Sequence, residues 1–191
     1  YTSNAMSTLL NSDAQTGTNV LKVHALSQPY NQAPWNYAGT ESVSTTFFDN
    51  HPEIVDWVLI ELRDKNDDEI VLFRSACFLT SDGTVLDHLA EREGTYVPLT
   101  NDRDDYFVSI QHRNHGAIYS LSVMSVERLE GENIVIWDTR TSDASIAGIQ
   151  NIKDLGNGDH ALYAGDNEKV TGGNDVNAND EAYWLGENGK V

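Results

Sequence analysis

A single cysteine, Cys77, stands among the 191 residues, which excludes an internal disulfide and leaves the redox compartment unread from pairing. Basic residues are also scarce: 12 Lys+Arg face 30 Asp+Glu, for a net charge of -18. No dense Lys/Arg cluster offsets that charge, which repels phosphate backbones and anionic lipid, so neither nucleic acid nor membrane insertion is expected. The natural small partner of such a chain is a cation. No apolar run approaches the roughly 20 residues of a spanning helix, and no succession of charged, apolar and small residues opens the chain. The motifs G-x-S-x-G, H-E-x-x-H and G-x-x-x-x-G-K-[ST] are missing, and no repeat of fixed period suggests a solenoid or propeller.

What is present is enough to fold: 39% hydrophobic and 9% aromatic residues supply a packed core. Residues 1–17 read as a flexible lead-in rich in Ser, Thr and Asn, and Ser3-Asn4-Ala5-Met6 resembles a vector-derived scar before a cloned start, which would be compatible with removal of a native export signal. From 18 to 138 short strand-like runs follow one another. Val20 to Leu26 alternates and ends at Gln28-Pro29, so it reads as a first strand. Val55 to Asp64 is the strongest strand: Val58, Ile60 and Leu62 share one face, Trp57, Leu59, Glu61 and Arg63 the other. Lys65 to Glu69 is a charged hairpin tip that returns through Ile70 to Thr80. Thr84 to Asp87, Thr95 to Leu99, Tyr106 to Gln111, Ala117 to Leu129 and Ile134 to Trp137 complete the set. Seven or eight short strands with little helical periodicity describe an all-β, antiparallel Ig-like or transthyretin-like sandwich. Residues 139–191, dense in Gly, Asn and Asp, form an irregular tail.

Three places carry candidate chemistry. In the tail, Asp166, Glu168, Asn174, Asp175, Asn177, Asn179 and Asp180 offer carboxylate, amide and backbone oxygens among glycines, as calcium requires. Asp175, Asn177 and Asn179 have the one-residue spacing of a calcium loop but not the EF-hand pattern, and a solvated polar turn is the other reading. The pair His112 and His115 in His112-Arg113-Asn114-His115 supplies two imidazoles for a metal or a substrate and needs a third ligand, for which His24, His51, His88 and the carboxylates are the candidates, none placed nearby by sequence. In the plainer reading Arg113 and Asn114 fix a loop by hydrogen bonds and ion pairs. Between Pro29 and Pro52 the rings of Trp35 and Tyr37 either pack on the core or stack against a sugar. Cys77, in the apolar run Val71 to Leu79, reads as a buried structural thiol rather than a nucleophile.

Val55-Asp56-Trp57-Val58-Leu59-Ile60-Glu61-Leu62-Arg63-Asp64 is similar to a recurrent "DWVLVELRD" strand, and Asp105 to His115 to a "YYVAVRHRNH" strand. With Ala161-Leu162-Tyr163-Ala164-Gly165-Asp166, these stretches resemble a family of exported modules in large multidomain bacterial proteins, of Bacteroidetes and marine type. The third stretch opens a tail resembling a dockerin-like calcium loop, "GDxNxDGxVxYxGxxNDxD", to which Asp166, Asn174 and Asp175 correspond and in which the Asn-x-Asp-Gly portion is shortened to Asn167-Glu168. The resemblance implies a non-catalytic accessory module of a secreted or surface-anchored protein, outside the cell, beside neighbouring domains and braced by calcium. The alternatives are a carbohydrate-binding or adhesion module that meets polysaccharide or a cell-surface glycan through Trp35 and Tyr37, and a metal-dependent enzyme centred on His112 and His115.

Overall fold

The architecture is built outward from one strand whose two faces are both buried. In the computed structural model the described residues are 6–12, 19–95, 97, 105–125, 137 and 139, with the backbones of 127–129, 132–134, 146–147, 152–154 and 160–162. The central strand β1 (Ile54–Asp64) pairs antiparallel with β2 (Val71–Thr80) on one side and β4 (Tyr106–His112) on the other. With β3 (Val85–Leu86), β5 (His115–Ser120) and β8 (Ile146–Ala147) they form a six-stranded sheet in the order β3-β2-β1-β4-β5-β8. Two ribbons, β6 (Glu127–Leu129) with β7 (Glu132–Ile134) and β9 (Ile152–Asp154) with β10 (His160–Leu162), are also antiparallel. The described chain is mostly antiparallel sheet, as its alternating, β-branched and aromatic runs require.

Alternation in β1 separates two apolar surfaces. Trp57 and Leu59 join Ala76 and Phe78 of β2 on one face, and the opening segment of the chain closes over them with Leu21, Ala25, Tyr30 and Phe48. The Trp57 indole stacks at 4.1 Å on Phe78 and donates to the Ala25 carbonyl at 2.7 Å, so burying it leaves no unpaired N–H. On the other face Val58, Ile60 and Cys77 meet Leu79, Val85 and Ile110, and Leu62, Tyr106 and Val108 meet Phe73, Val97, Met124 and Trp137. Cys77 is fully buried there, and burial pushes its thiol up to about 12, which keeps it a neutral hydrophobe.

Three sequence expectations change. The run after Asn19 is not a strand but a short helix, α1 (Val20–His24), followed later by α2 (Phe47–Asn50). The Asn19 side chain accepts from the Lys22 N–H at 2.7 Å, and the helical turn puts Leu21 and Ala25, four apart, on the core while Val23 points out. The Ala117 to Leu129 strand is interrupted: β5 ends at Ser120, the chain bows outward with Leu121 60% exposed, and Met124 exchanges backbone hydrogen bonds with Tyr106 at 2.7 and 3.1 Å. Of the expected strand from Ile134 to Trp137, Ile134 belongs to β7 and residues 135 and 136 lie outside the described residues. The stretch beyond Asp138 is not wholly irregular, since it carries β8, β9 and β10, and β8 lies in the main sheet beside β5. Two- and three-residue strands are set by the partner they pair with, which no local pattern announces. The expected strand Thr95 to Leu99 falls mostly outside the described residues.

Candidate functional site

Two carboxylates in β1 organise the polar chemistry of the sheet; both lie in the Val55 to Asp64 run quoted above for its resemblance, and neither was named there as a candidate site residue. The first is Asp56, near the start of β1, whose carboxylate meets the β4–β5 turn. Its side chain is fully buried. Oδ1 accepts from the Trp57 N–H at 2.8 Å and Arg113 Nη2 at 3.0 Å; Oδ2 accepts from Arg113 Nε at 2.9 Å and faces His112 Nε2 at 3.3 Å. Burial by itself would raise this carboxyl, but the His112 hydrogen bond and the Arg113 and His112 charges outweigh it and hold Asp56 below the usual carboxylate range. The Tyr30 hydroxyl completes the shell: it donates to the Trp57 carbonyl at 2.7 Å, and burial followed by the Asp56 charge moves it far above its ordinary pKa.

His112 links Asp56 to the surface. The β4–β5 hairpin turns through Arg113 and Asn114, with His112 opposite His115. The Asn114 N–H donates to His112 Nδ1 at 3.1 Å, so that nitrogen carries a lone pair and the Nε2 proton faces Asp56. The half-buried His115 brings its Nδ1 to 2.8 Å from the same His112 nitrogen, the rings standing 63° apart. Burial, then the neighbouring His112, lowers the His115 pKa to about 4 against a smaller upward pull from Asp56. The structure therefore brings together three of the sequence-nominated residues, His112, Arg113 and His115, and gives them to one another and to Asp56. Among the described residues no three His, Cys, Asp or Glu side chains are grouped as a metal ion requires.

The second carboxylate is Glu61, also fully buried. Arg63 grips its Oε2 through Nη2 at 2.5 Å and Nε at 3.0 Å, while Arg74, its cross-strand partner, donates from Nε to Oε1 at 2.8 Å. Arg63 lies 5.2 Å over the Tyr119 ring, and Arg74 reaches on to the Trp35 carbonyl at 2.9 Å. The two nominated rings are tied into this region. Trp35 packs edge-on against Tyr30 at 5.1 Å, and the Tyr37 hydroxyl donates to Glu41, whose Oε1 accepts from the Ala76 N–H at 3.3 Å on the β2 edge. Both rings are half-buried against the core, so much of each is spent on packing rather than offered to a ligand. Burial first, then Glu41, moves the Tyr37 hydroxyl above its ordinary pKa.

Gly39 makes that strap possible, because a Cβ there would lie 2.2 Å from the Tyr37 ring and 2.3 Å from Glu41 Oε2. Gly39→Ala is accordingly expected to lower stability by about 1–3 kcal/mol, the range for forced overpacking, as read from the midpoint of urea unfolding. The nominated tail residues Asp166, Glu168, Asn174, Asp175, Asn177, Asn179 and Asp180 lie outside the described residues.

Asp56 and Glu61 were missed because acidic residues in strands usually face solvent, yet both carried a signal. Asp56 shares the parity of Val58, Ile60 and Leu62 on an otherwise apolar face, and a hairpin tip at 65–69 sets residue 61 opposite residue 73 or 74, where Arg74 stands. No family model, curated protein or solved structure matches the chain.

Proposed function

We propose that the chain is a non-catalytic, extracellular accessory module of a secreted or surface-anchored bacterial protein, built as an Ig-like or transthyretin-like β-sandwich and braced by calcium in its acidic tail. The observation that carries this reading is the inward use of the one motif that resembled an active centre. Arg113 and His112 close on the buried carboxylate of Asp56. A general acid or base must meet its substrate, and a group already satisfied on each side by protein partners serves to join strands instead. The second buried carboxylate, Glu61, works in the same way between β1 and β2. The resemblance of the β1 and β4 sequences to exported modules, and the oxygen-rich tail, support the location and the ion.

Thermal unfolding of the whole chain with excess calcium and then with chelator tests the brace. Calcium at about 100 times its dissociation constant adds about 2.7 kcal/mol, an upward shift of several degrees. Asp166→Ala or Asp175→Ala should abolish it. No shift in the parent protein would remove calcium from the reading, and turnover of polysaccharide fragments lost on His115→Gln would overturn the non-catalytic assignment.

A further inference from the structure

The outer edge of β2 is paired with a strand for only part of its length. β3 meets Phe78 and Leu79 and then leaves, because Asp87 Oδ1 accepts from the Leu89 and Glu91 N–H groups at 3.2 and 2.9 Å and turns the chain back to Glu93. From Val71 to Cys77, β2 has no strand on that side among the described residues. Alternate residues of such an edge point their N–H and C=O groups outward: the Thr80 N–H donates to the Thr84 carbonyl at 2.9 Å, and Phe78 pairs with Leu86. Ala76 and Arg74 are the next two in that series, and side chains meet them instead of a strand. Glu41 Oε1 accepts from the Ala76 N–H at 3.3 Å, as a strand carbonyl would, and the Tyr37 hydroxyl lies 3.4 Å from the Arg74 carbonyl. Arg74 Nη1 in turn donates to the Trp35 carbonyl at 2.9 Å. Gln28 anchors the segment from behind: its N–H donates to the Glu41 carbonyl at 3.0 Å and its Nε2 to the Gly39 carbonyl at 2.8 Å.

Glu41 is an expensive choice for packing alone. Its Oε2 is buried and has no hydrogen-bond partner among the described residues, a cost that an apolar side chain of similar size would avoid. A charge held against a sheet edge has another use, since an incoming strand would have to bury it. Further along the same edge, the register shift opposite Leu62 and Arg63 bulges β2 where Ile70 and Leu72 are 49% and 52% exposed. We propose that residues 35–41 form a guard strap, whose Tyr37 and Glu41 side chains occupy the β2 edge and keep it from pairing with the same edge of a second copy of this chain. A second copy is the occupant the geometry favours, because an antiparallel pair of identical edges is closed by a two-fold axis. The net charge of -18 on each copy adds a repulsion that about 0.15 M salt confines to about 8 Å, so in such salt the strap is what separates them.

The double variant Tyr37→Phe, Glu41→Leu separates guarding from packing. It removes both members of the Tyr37–Glu41 hydrogen bond together with the unpaired oxygen and keeps the bulk, so its urea midpoint should stay close to the parent's while the Ala76 N–H is left free. In sedimentation velocity at about 1 mM protein and about 0.15 M salt, the parent should run as a monomer and the variant at doubled mass, reversibly on dilution, as befits a small, weak interface. Hydrogen exchange of the Ala76 amide in the variant should slow as protein concentration rises, and that of the Ile110 and Ile118 amides should not. Gly39→Ala, which forces the Tyr37 ring and the Glu41 carboxyl aside while leaving both residues in place, should dimerise in the same way. The guard is overturned if both variants fold and stay monomeric, or if the parent dimerises as readily as they do. A dimer whose Ala76 exchange is indifferent to concentration would overturn it as well, since the contact would then lie elsewhere.

Discussion

Asp56→Ala is expected to lower the unfolding free energy by about 3–5 kcal/mol, the range observed when one partner of a buried ion pair is removed. The loss exceeds that of a single hydrogen bond because four donors converge on this carboxylate and all four lose their acceptor together. Arg113, with a quarter of its side chain exposed, can swing to solvent, but His112 is 5% exposed and the Trp57 N–H sits in the core. Against a total stability of about 5–15 kcal/mol such a loss is large enough to read as a displaced urea midpoint with unchanged slope. Asp56→Asn should also be strongly destabilising, since it retains the shape but turns amide hydrogens towards Arg113 or His112. A midpoint within experimental error of the parent for either variant would show that the carboxylate does not hold the turn to the sheet.

Glu61→Ala should cost about 2–4 kcal/mol, somewhat less than the Asp56 change, because the two guanidiniums it strands are 16% and 30% exposed and regain part of their hydration. The more telling comparison is the triple replacement Arg63→Met, Glu61→Leu, Arg74→Met. A buried Arg–Glu–Arg arrangement is not intrinsically more stabilising than apolar packing of the same volume, so the triple variant is expected within about 1 kcal/mol of the parent, or above it. Equal losses in the single and triple variants would mean that the aliphatic stems and the Arg63 contact with the Tyr119 ring, rather than the charges, hold this part of the sheet.

These two carboxylates also mark where reading the chain residue by residue succeeds and where it stops. β1 and β2 were legible because each is long enough for its alternation to show and because the polar tip between them closes the shortest connection the strands can make. The His112-Arg113-Asn114-His115 turn was legible as a cluster, and the plainer reading of it, a loop fixed by Arg113 and Asn114, matches the bonds formed. Its partner was not: Asp56 is 57 residues from Arg113, and nothing local to either residue encodes their meeting. α1 was misread for a related reason. In Leu21-Lys22-Val23-His24-Ala25 both a strand and a helix place apolar residues on one side, and the Asn19 cap together with the shape of the surface formed by Trp57 and Phe78 selects the helix.

By itself the sequence determined the strand-dominated class, the acidic surface, the long central hairpin and the buried, unreactive character of Cys77, because all of these follow from composition and from periodicities a few residues long. The tertiary structure alone decided which strands flank β1 and which donors satisfy Asp56 and Glu61. It also decided that two histidines meet nitrogen to nitrogen across the β4–β5 turn. Those outcomes depend on pairing register across the sheet, where a shift of one residue would turn Asp56 and Glu61 to the opposite faces. Register is a property of the assembled sheet, fixed by the burial of both faces of β1 at once.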